Sequence, residues 1–237
     1  MINYNFIKTR QEGYVFYLTL ARPAKRNAFT VTMVNEIDHA LQQANAAASV
    51  KLVILEAEGP IFCAGMDLKN FKDPSIDQFN PALENKDISL GEVMDRLEKP
   101  SIAVVKGDVI AGGFLLILGC TYVYASKEVR FKLPELALGI FPFQVMASLL
   151  KVMPEKKVLQ RCLHTDFFDV ESAIRDGIVD GIFTEERLAE HIASFEAIEN
   201  KPMQAGIKAL KALKALKDLP KEKHFAFLKQ QLDALEK

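Results

Sequence analysis

The chain has 237 residues, and its 30 Lys and Arg nearly balance its 31 Asp and Glu, leaving a net charge of −1. That balance excludes a global electrostatic pull toward nucleic acid or an anionic membrane, so neither is expected as a partner. With 49% hydrophobic and 26% charged residues, the composition is that of a globular protein able to bury a sizeable core, as one large domain or a core with an appendage.

Residues 14–20, YVFYLTL, are rich in aromatic and β-branched side chains and predict a strand. Arg22-Pro23 ends it, because proline restricts the residue before it and cannot donate to a ladder. Thr30 is placed to cap a helix running to about residue 48, with Val34, Ile37, Leu41, Ala44 and Ala48 on one face. The nearly continuous apolar run KLVILEA, 51–57, predicts a strand buried on both faces. Strand, helix and strand in this order indicate an α/β fold.

Residues 69–99 are polar, contain Pro74 and Pro81, and lack clean periodicity until near Gly91. They read as a mobile excursion followed by a helix over 91–98, the kind of segment that often carries function. SIAVVK, 101–106, predicts another buried strand, broken by Gly107. Gly112-Gly113 opens an apolar helix, FLLILG, and TYVYAS follows as a strand. Helices are expected near 144–153, 155–163 and 170–176, then a short strand in IVDGIF. From about residue 185 the chain reads as helical, punctuated by Pro202 and Pro220.

Residues 208–217, KALKALKALK, repeat every three positions, so the leucine stripe drifts by about 60° per repeat around an α-helix. A basic helix of this kind can touch membrane or nucleic acid. The near-neutral chain favours a helix with solvated lysines and a leucine stripe packed on the domain or on another subunit.

Three segments stand out chemically: FCAGMDL (62–68), KGDVIAGG (106–113), and FKLPE (131–135) with LGI (138–140). The first two each follow a buried strand. Glycine after a strand lets backbone approach a ligand closely and adopt unusual angles. Two such turns side by side can aim two N–H groups at one oxygen, and a Gly-Gly pair opening a helix adds the positive end of the helix dipole. That arrangement is an oxyanion hole. Taken singly, each turn is better read as a plain strand-to-helix connection.

Together, and in order, these segments resemble the crotonase superfamily, the enoyl-CoA hydratase/isomerase family. Arg22-Pro23 with Asn27-Ala28 looks like the family's first CoA-contacting loop. FCAGMDL and KGDVIAGG look like its two oxyanion motifs, LPELALGI like its catalytic-carboxylate segment, and DVESAIRDGIV (169–179) like its late helix and turn. The likeness covers nearly the whole chain. It implies an α/β spiral of ββα units over residues 1–195 and a C-terminal helical region, 196–237, for oligomerisation or as a lid. It also implies a homotrimer, or a hexamer built as a dimer of trimers. The oxyanion donors then fall on the amides of Met66 and Gly112. CoA contacts fall near Ala24 and Arg26 and on Ala64, Gly65, Met66, Asp67 and Leu68. No separate cofactor is expected, since coenzyme A is part of the acyl-CoA substrate.

Two glutamates flank the substrate in the family's hydratases. Here the Leu-Pro-Glu carboxylate is present as Glu135, while the other position is Leu115. Hydration needs water activated at C3 and a proton delivered to C2, work that two carboxylates divide. Moving a double bond needs one base. A lone glutamate in an apolar pocket suits that role, because desolvation raises its pKa toward neutrality. The departure therefore favours isomerase-like proton transfer through Glu135. Three alternatives stay open. One is a hydratase whose second acid comes from Asp73, Asp77, Glu84, Asp87 or Glu92. The others are an acyl-CoA decarboxylase and a non-catalytic acyl-CoA-binding protein. The competing and less favoured reading of Glu135 is a turn carboxylate that caps the next element or pairs with Lys132.

Phe141, Phe143 and Met146 either line an acyl pocket or belong to the core. Dehalogenases of this fold place an aspartate after the Leu-Gly-Ile segment, where this chain reads FPFQVMAS, so that activity is rejected. Cys63 has no paired base nearby and reads as a small buried residue. Asp67 and Asp108 read as turn stabilisers and Asp169 as an N-cap. His39, His164, His191 and His224 show no metal spacing, and no metal site is expected. The three cysteines, Cys63, Cys120 and Cys162, are odd in number and widely spaced, which suits free thiols in a reducing compartment. The start of the chain has neither a signal-like apolar core nor transit-peptide character, and the longest apolar stretch, about 109–118, is roughly half a membrane span. A cytoplasmic location is expected.

Overall fold

The computed structural model of the protein describes residues 2–215 and 221–235. Its framework is a six-stranded sheet. β1 (Ile7–Glu12) and β2 (Val15–Leu20) form an antiparallel hairpin, and β2, β3 (Leu52–Ala57), β5 (Ser101–Val105), β7 (Tyr122–Ala125) and β10 (Gly181–Ile182) continue it in parallel. A smaller sheet pairs β4 (Ile61–Cys63), β6 (Asp108–Ile110) and β8 (Arg130–Lys132) in parallel and adds β9 (Phe168–Asp169) antiparallel.

The chain visits the two sheets alternately. Each of β3, β5 and β7 runs in the large sheet, turns, and becomes β4, β6 or β8 in the small one. This is the spiral of ββ units expected from the resemblance, with helices between the turns. α1 (Val31–Ala46) enters the spiral, α3 (Leu90–Asp95) precedes β5, and α4 (Gly113–Leu118) follows β6.

The sequence forms these elements for identifiable reasons. Thr30 Oγ1 accepts the Met33 N–H at 3.2 Å and starts α1 where expected. The inner strands are apolar along their length because both faces of the large sheet are covered. One face packs on α1, α3, α4 and the small sheet. The other carries Val15, Leu52, Ile54, Ile102 and Val104 beneath Phe195, Leu188 and Ile192, which belong to α8 (Glu185–Ser194) and its C-cap. β1 is exposed except at Ile7, and its charged side chains blunt the sheet edge.

Residues 69–99 hold a short helix, α2 (Leu68–Lys72), and a 3₁₀ turn at Pro74–Ile76 before α3. Read as mobile from composition, the segment is in fact tied to its surroundings by polar side chains. Asp77 Oδ2 accepts the Thr32 N–H at 3.0 Å, Asn35 Oδ1 accepts the Lys86 N–H at 2.9 Å, and Asn80 Nδ2 donates to Glu36 at 2.9 Å and to the Asn3 carbonyl at 3.0 Å. The buried Glu36 also accepts the Asn5 and Phe6 N–H groups.

Helices α5 (Phe143–Leu149), α6 (Glu155–Leu163) and α7 (Val170–Arg175) match the sequence expectation. After α8 come α9 (Asn200–Ala215) and α10 (Lys221–Leu235). Pro202 sits in the first turn of α9, where its missing N–H costs nothing; Pro220 lies outside the described residues. The lysines of α9 are not all solvated. Lys208 pairs with Glu98 at 2.9 Å, and Lys211 donates to the carbonyls of Asp95, the last residue of α3, and Leu97 just past it. Asn200 Nδ2 donates to the carbonyls of Ala48 and Val50. α9 is thus fastened to the body of its own chain. Among the described residues no helix is long and apolar enough to cross a membrane.

Candidate active site

Two backbone turns meet where the chain leaves β4 and β6 of the small sheet. The first, Gly65-Met66, follows β4. Gly65 has φ +84°, which disfavours any residue with a side chain. Phe29 pairs with Met66 as an isolated parallel bridge. Its N–H donates to the Gly65 carbonyl at 2.9 Å, and its carbonyl accepts the Asp67 N–H at 2.9 Å. In this bridge the Met66 N–H is not used and points to the other side.

The second turn follows β6. The unusual backbone angle expected at its glycines falls instead on Ala111, at φ +52°, while Gly112 has an ordinary φ of −56°. The Ala111 N–H donates to the Lys132 carbonyl at 2.9 Å, tying the turn to β8. The glycines serve close approach. A Cβ on Gly113 would stand 2.6 Å from the Cys63 carbonyl oxygen, and one on Gly112 would stand 2.9 Å from the Phe29 ring. A Cβ on Gly65 would come within 2.7 Å of Ala111 Cβ and 3.0 Å of the Gly112 nitrogen. The two turns are therefore in contact, and among the described residues neither the Met66 nor the Gly112 N–H has a protein acceptor.

Met66 forms part of the wall of an open cleft of about 730 Å³, with Ala24, Lys25, Arg26, Ala64, Asp67 and Leu68 also in its lining. The expected CoA-contacting residues are thus brought together, except Gly65, which lies behind the wall. The loop that carries Ala24 and Arg26 is held by Asn27, fully buried and at φ +51°. Asn27 Oδ1 accepts the Arg22 N–H, and its Nδ2 donates to the carbonyls of Glu58 and Ile61, all at 2.8–2.9 Å. Cys63 Sγ donates to the Asn27 carbonyl at 3.2 Å, and burial pushes this thiol up to about 12.

Arg22 joins the two cleft segments, donating to the Ala28 carbonyl and to Asp67 Oδ2, each at 2.8 Å. Asp67 in turn caps α2 through the N–H groups of Lys69 and Asn70. Burial pushes the Asp67 carboxyl up, but the Arg22 hydrogen bond and the two backbone donors outweigh it and hold the group below the usual carboxylate range. Asp108 accepts from the Arg130 backbone and guanidinium, and Asp169 caps α7 through the Ser172 N–H. Sequence reasoning passed over Phe29 and the extent of Asn27's role. Asn27 carried a signal as part of the loop motif, whereas Phe29 carried none.

Glu135 starts the 3₁₀ turn Glu135–Leu138, three residues after the Lys132 carbonyl that binds the second turn. Glu135 is only 7% exposed, and its carboxylate makes no ion pair with Lys132. Oε2 is buried without a hydrogen-bond partner. Burial holds this carboxyl above its usual range, with its own backbone N–H opposing. Burial and then the charge of Glu135 push the Cys162 thiol on α6 up to about 11.

Leu115 on α4 is 4% exposed, with its side chain facing Gly91 of α3. Glu135, Leu115, Gly112, Phe141 and Phe143 do not wall the 730 Å³ cleft. Phe143 is 68% exposed and so is not a core residue, while Phe141 is half-buried against the core, its ring 5.1 Å from that of Phe143. The other candidate acids are largely committed elsewhere. Asp73 caps Ser75, Glu92 forms a capping box with Ser89, and Glu84 and Asp87 are exposed. Only Asp77 keeps a buried oxygen, Oδ1, without a partner.

A two-sheet spiral with contacting glycine turns after β4 and β6 is the architecture of the crotonase fold. The model of the enoyl-CoA hydratase/isomerase family matches residues 10–236, and the chain belongs to that family. It is 28% identical over 207 residues to a probable enoyl-CoA hydratase of Rhizobium meliloti, covering 82% of this chain and 77% of that protein. It is 26% identical to the mitochondrial enoyl-CoA hydratase domain-containing protein 3 of Mus musculus, covering 76% of this chain and 60% of that one. The chain therefore spans less than two thirds of some of the relatives it matches. Among solved structures, an enoyl-CoA hydratase/isomerase family protein from Silicibacter pomeroyi superposes with a TM-score of 0.79 at 25% identity, over 98% of this chain and all of that one. The human enoyl-CoA hydratase domain-containing protein 3 shares the fold, with a TM-score of 0.80 at 19% identity over 97% and 91% of the two chains.

Proposed function

We propose that the protein moves a double bond in an enoyl-CoA thioester, using Glu135 as its only proton carrier. Coenzyme A lies along the cleft formed by Ala24, Arg26, Ala64, Asp67 and Leu68. The thioester oxygen accepts the free N–H groups of Met66 and Gly112. When Glu135 takes a proton from C2 of a 3-enoyl thioester, negative charge moves onto that oxygen, where fixed backbone donors already point. The same carboxyl then delivers the proton to C4, giving the 2-enoyl isomer, and no separate cofactor takes part.

The observation that carries this reading is the buried, partnerless Glu135 Oε2, in a chain that has the apolar Leu115 at the other carboxylate's position. A raised carboxyl pKa brings its proton affinity toward that of the working solution, which favours reversible proton transfer. A hydratase with a relocated acid rests on Asp77, whose Oδ1 is likewise buried and unpaired. Incubation with 2-enoyl-, 3-enoyl- and 3-hydroxyacyl-CoA in D₂O, followed by mass spectrometry, separates the two. The isomerase reading expects double-bond migration with deuterium exchange and no water addition. Hydration at enzymatic rates in the protein, lost in Asp77→Asn, would establish the other.

The family resemblance also supports assembly as a trimer or a dimer of trimers. The large side chains of Leu138, Ile140 and Phe143 stand exposed just after Glu135 and give such an assembly apolar surface to bury. Three free cysteines suit a reducing compartment such as the cytoplasm.

A further inference from the structure

The mouth of the cleft carries more than a nucleotide handle needs. It is built from residues 22–29 and 64–79, which hold five cations and three carboxylates in a chain of net charge −1. Arg22 is committed to Asp67, Asp73 to Ser75 and Asp77 to the Thr32 N–H. Lys25, Arg26, Lys69 and Lys72 are exposed, and among the described residues none of them has an ion-pair partner.

Large apolar side chains stand among these cations. Leu68, Phe71 and Lys72 fall at i, i+3 and i+4 of α2 and share one face. Leu68 lines the cleft, whereas Phe71, 65% exposed, does not; Ile76 at 53% lines it, and Phe79 at 51% does not. A free coenzyme A in the cleft would leave Phe71 and Phe79 in water. The segment that presents them is pinned at Asp77, at Asn80 and by Asn5 Nδ2 donating to the Gln78 carbonyl at 2.9 Å, so the surface is preformed.

We propose that this mouth docks an acidic carrier protein that presents the thioester on its own pantetheine arm. The unpaired cations meet the carrier's acidic face, and Phe71 and Phe79 pack against apolar side chains on it. Such charge complementarity steers encounter and fixes register. The inference rests on the thioester reading of the cleft, but its test does not depend on turnover.

The test titrates a fluorescently labelled bacterial acyl carrier protein, strongly acidic and bearing its pantetheine arm, into the full chain and into Phe71→Ser, Lys72→Glu and Phe79→Ser, at low and high salt. Binding is expected in the unaltered protein, falling with salt and weakening about tenfold or more in each variant. Turnover of 3-enoyl-CoA, whose binding does not use these three side chains, is expected to stay within about twofold. Absence of carrier binding, or variants that bind as well as the parent, would overturn the proposal. So would a fall in oligomer size in the Phe71 and Phe79 variants, which would assign the patch to a second copy of the chain. Failure of the parent to turn over 3-enoyl-CoA would count against the site reading alone, because the carrier titration decides the docking by itself.

Discussion

The α-carbon of Gly65 lies so close to Gly112 that a side chain on it would sit 3.0 Å from the Gly112 nitrogen and 2.7 Å from Ala111 Cβ. Two turns far apart in sequence are thereby pressed together, each with a free N–H. Gly65→Ala is expected to force them apart and to strain a residue at φ +84°. Losing one donor of this type costs about 2.7–4 kcal/mol of transition-state stabilisation, about 10²–10³ in kcat. Steady-state kinetics with 3-enoyl-CoA would show this fall in kcat. Circular dichroism of the variant checks that the fold survives.

Glu135 is held where its charged form is disfavoured, and this has a consequence for stability. Its carboxyl pKa is raised in the folded protein by burial. The folded state is therefore favoured below the unfolded carboxyl pKa, and that contribution is lost as pH rises through the folded value. At neutral pH, Glu135→Gln is expected to raise the thermal unfolding midpoint while removing activity. In the parent, kcat/KM should rise with pH through an acid limb lying above the ordinary carboxylate range, since the base must be ionised.

Asn27 satisfies one backbone N–H and two backbone carbonyls at once. Asn27→Ala leaves these groups buried and unpaired. A cost of about 3 kcal/mol is expected, at about 1–3 kcal/mol for an orphaned group with partial relief by water. Urea denaturation measures it directly. The loop bearing Ala24 and Arg26 loses its anchor in the same variant, so KM for acyl-CoA should increase more than kcat falls.

His191 docks α8 against the outer face of the large sheet. Its Nδ1 lies 2.8 Å from Tyr124 Oη, and its ring meets Tyr122 edge-on at 4.3 Å and stacks near Phe195. Burial lowers its pKa, with Asp180 opposing. The unfolded chain thus takes up a proton that the folded one resists. This stability is present above the unfolded His pKa of about 6.5 and is lost as pH falls through the folded value. Denaturation midpoints should drop across that acid window, and His191→Gln should flatten the drop.

Much of this architecture was legible in the sequence. The helix at Val31–Ala46 announced itself by period and by its Thr30 cap, and Leu52–Ala57 and Ser101–Val105 by unbroken apolar runs. The short strands Ile61–Cys63, Asp108–Ile110 and Arg130–Lys132 did not, because three residues carry no period. Gly107 looked like a strand terminator and is a corner between sheets, where a Cβ would stand 2.5 Å from the Pro60 carbonyl oxygen. Ile7–Glu12 lacked a pattern because only Ile7 is buried. At the site, the glycine turns, the cleft residues and Glu135 were found as motifs. The left-handed Ala111 and the bracing Phe29 were not, since neither residue type signals a backbone role. The 69–99 segment was misjudged because its order comes from single polar contacts such as Asn80 with Glu36, which leave no periodicity.

The central claim, that one carboxylate carries the proton, is tested most directly by Glu135→Gln. The measurement is isomerisation of a 3-enoyl-CoA in D₂O, with deuterium at C2 and C4 of recovered substrate and product read by mass spectrometry. The account predicts that the parent migrates the double bond and exchanges deuterium, while the variant binds the thioester and does neither. Full isomerase turnover by the variant would contradict it.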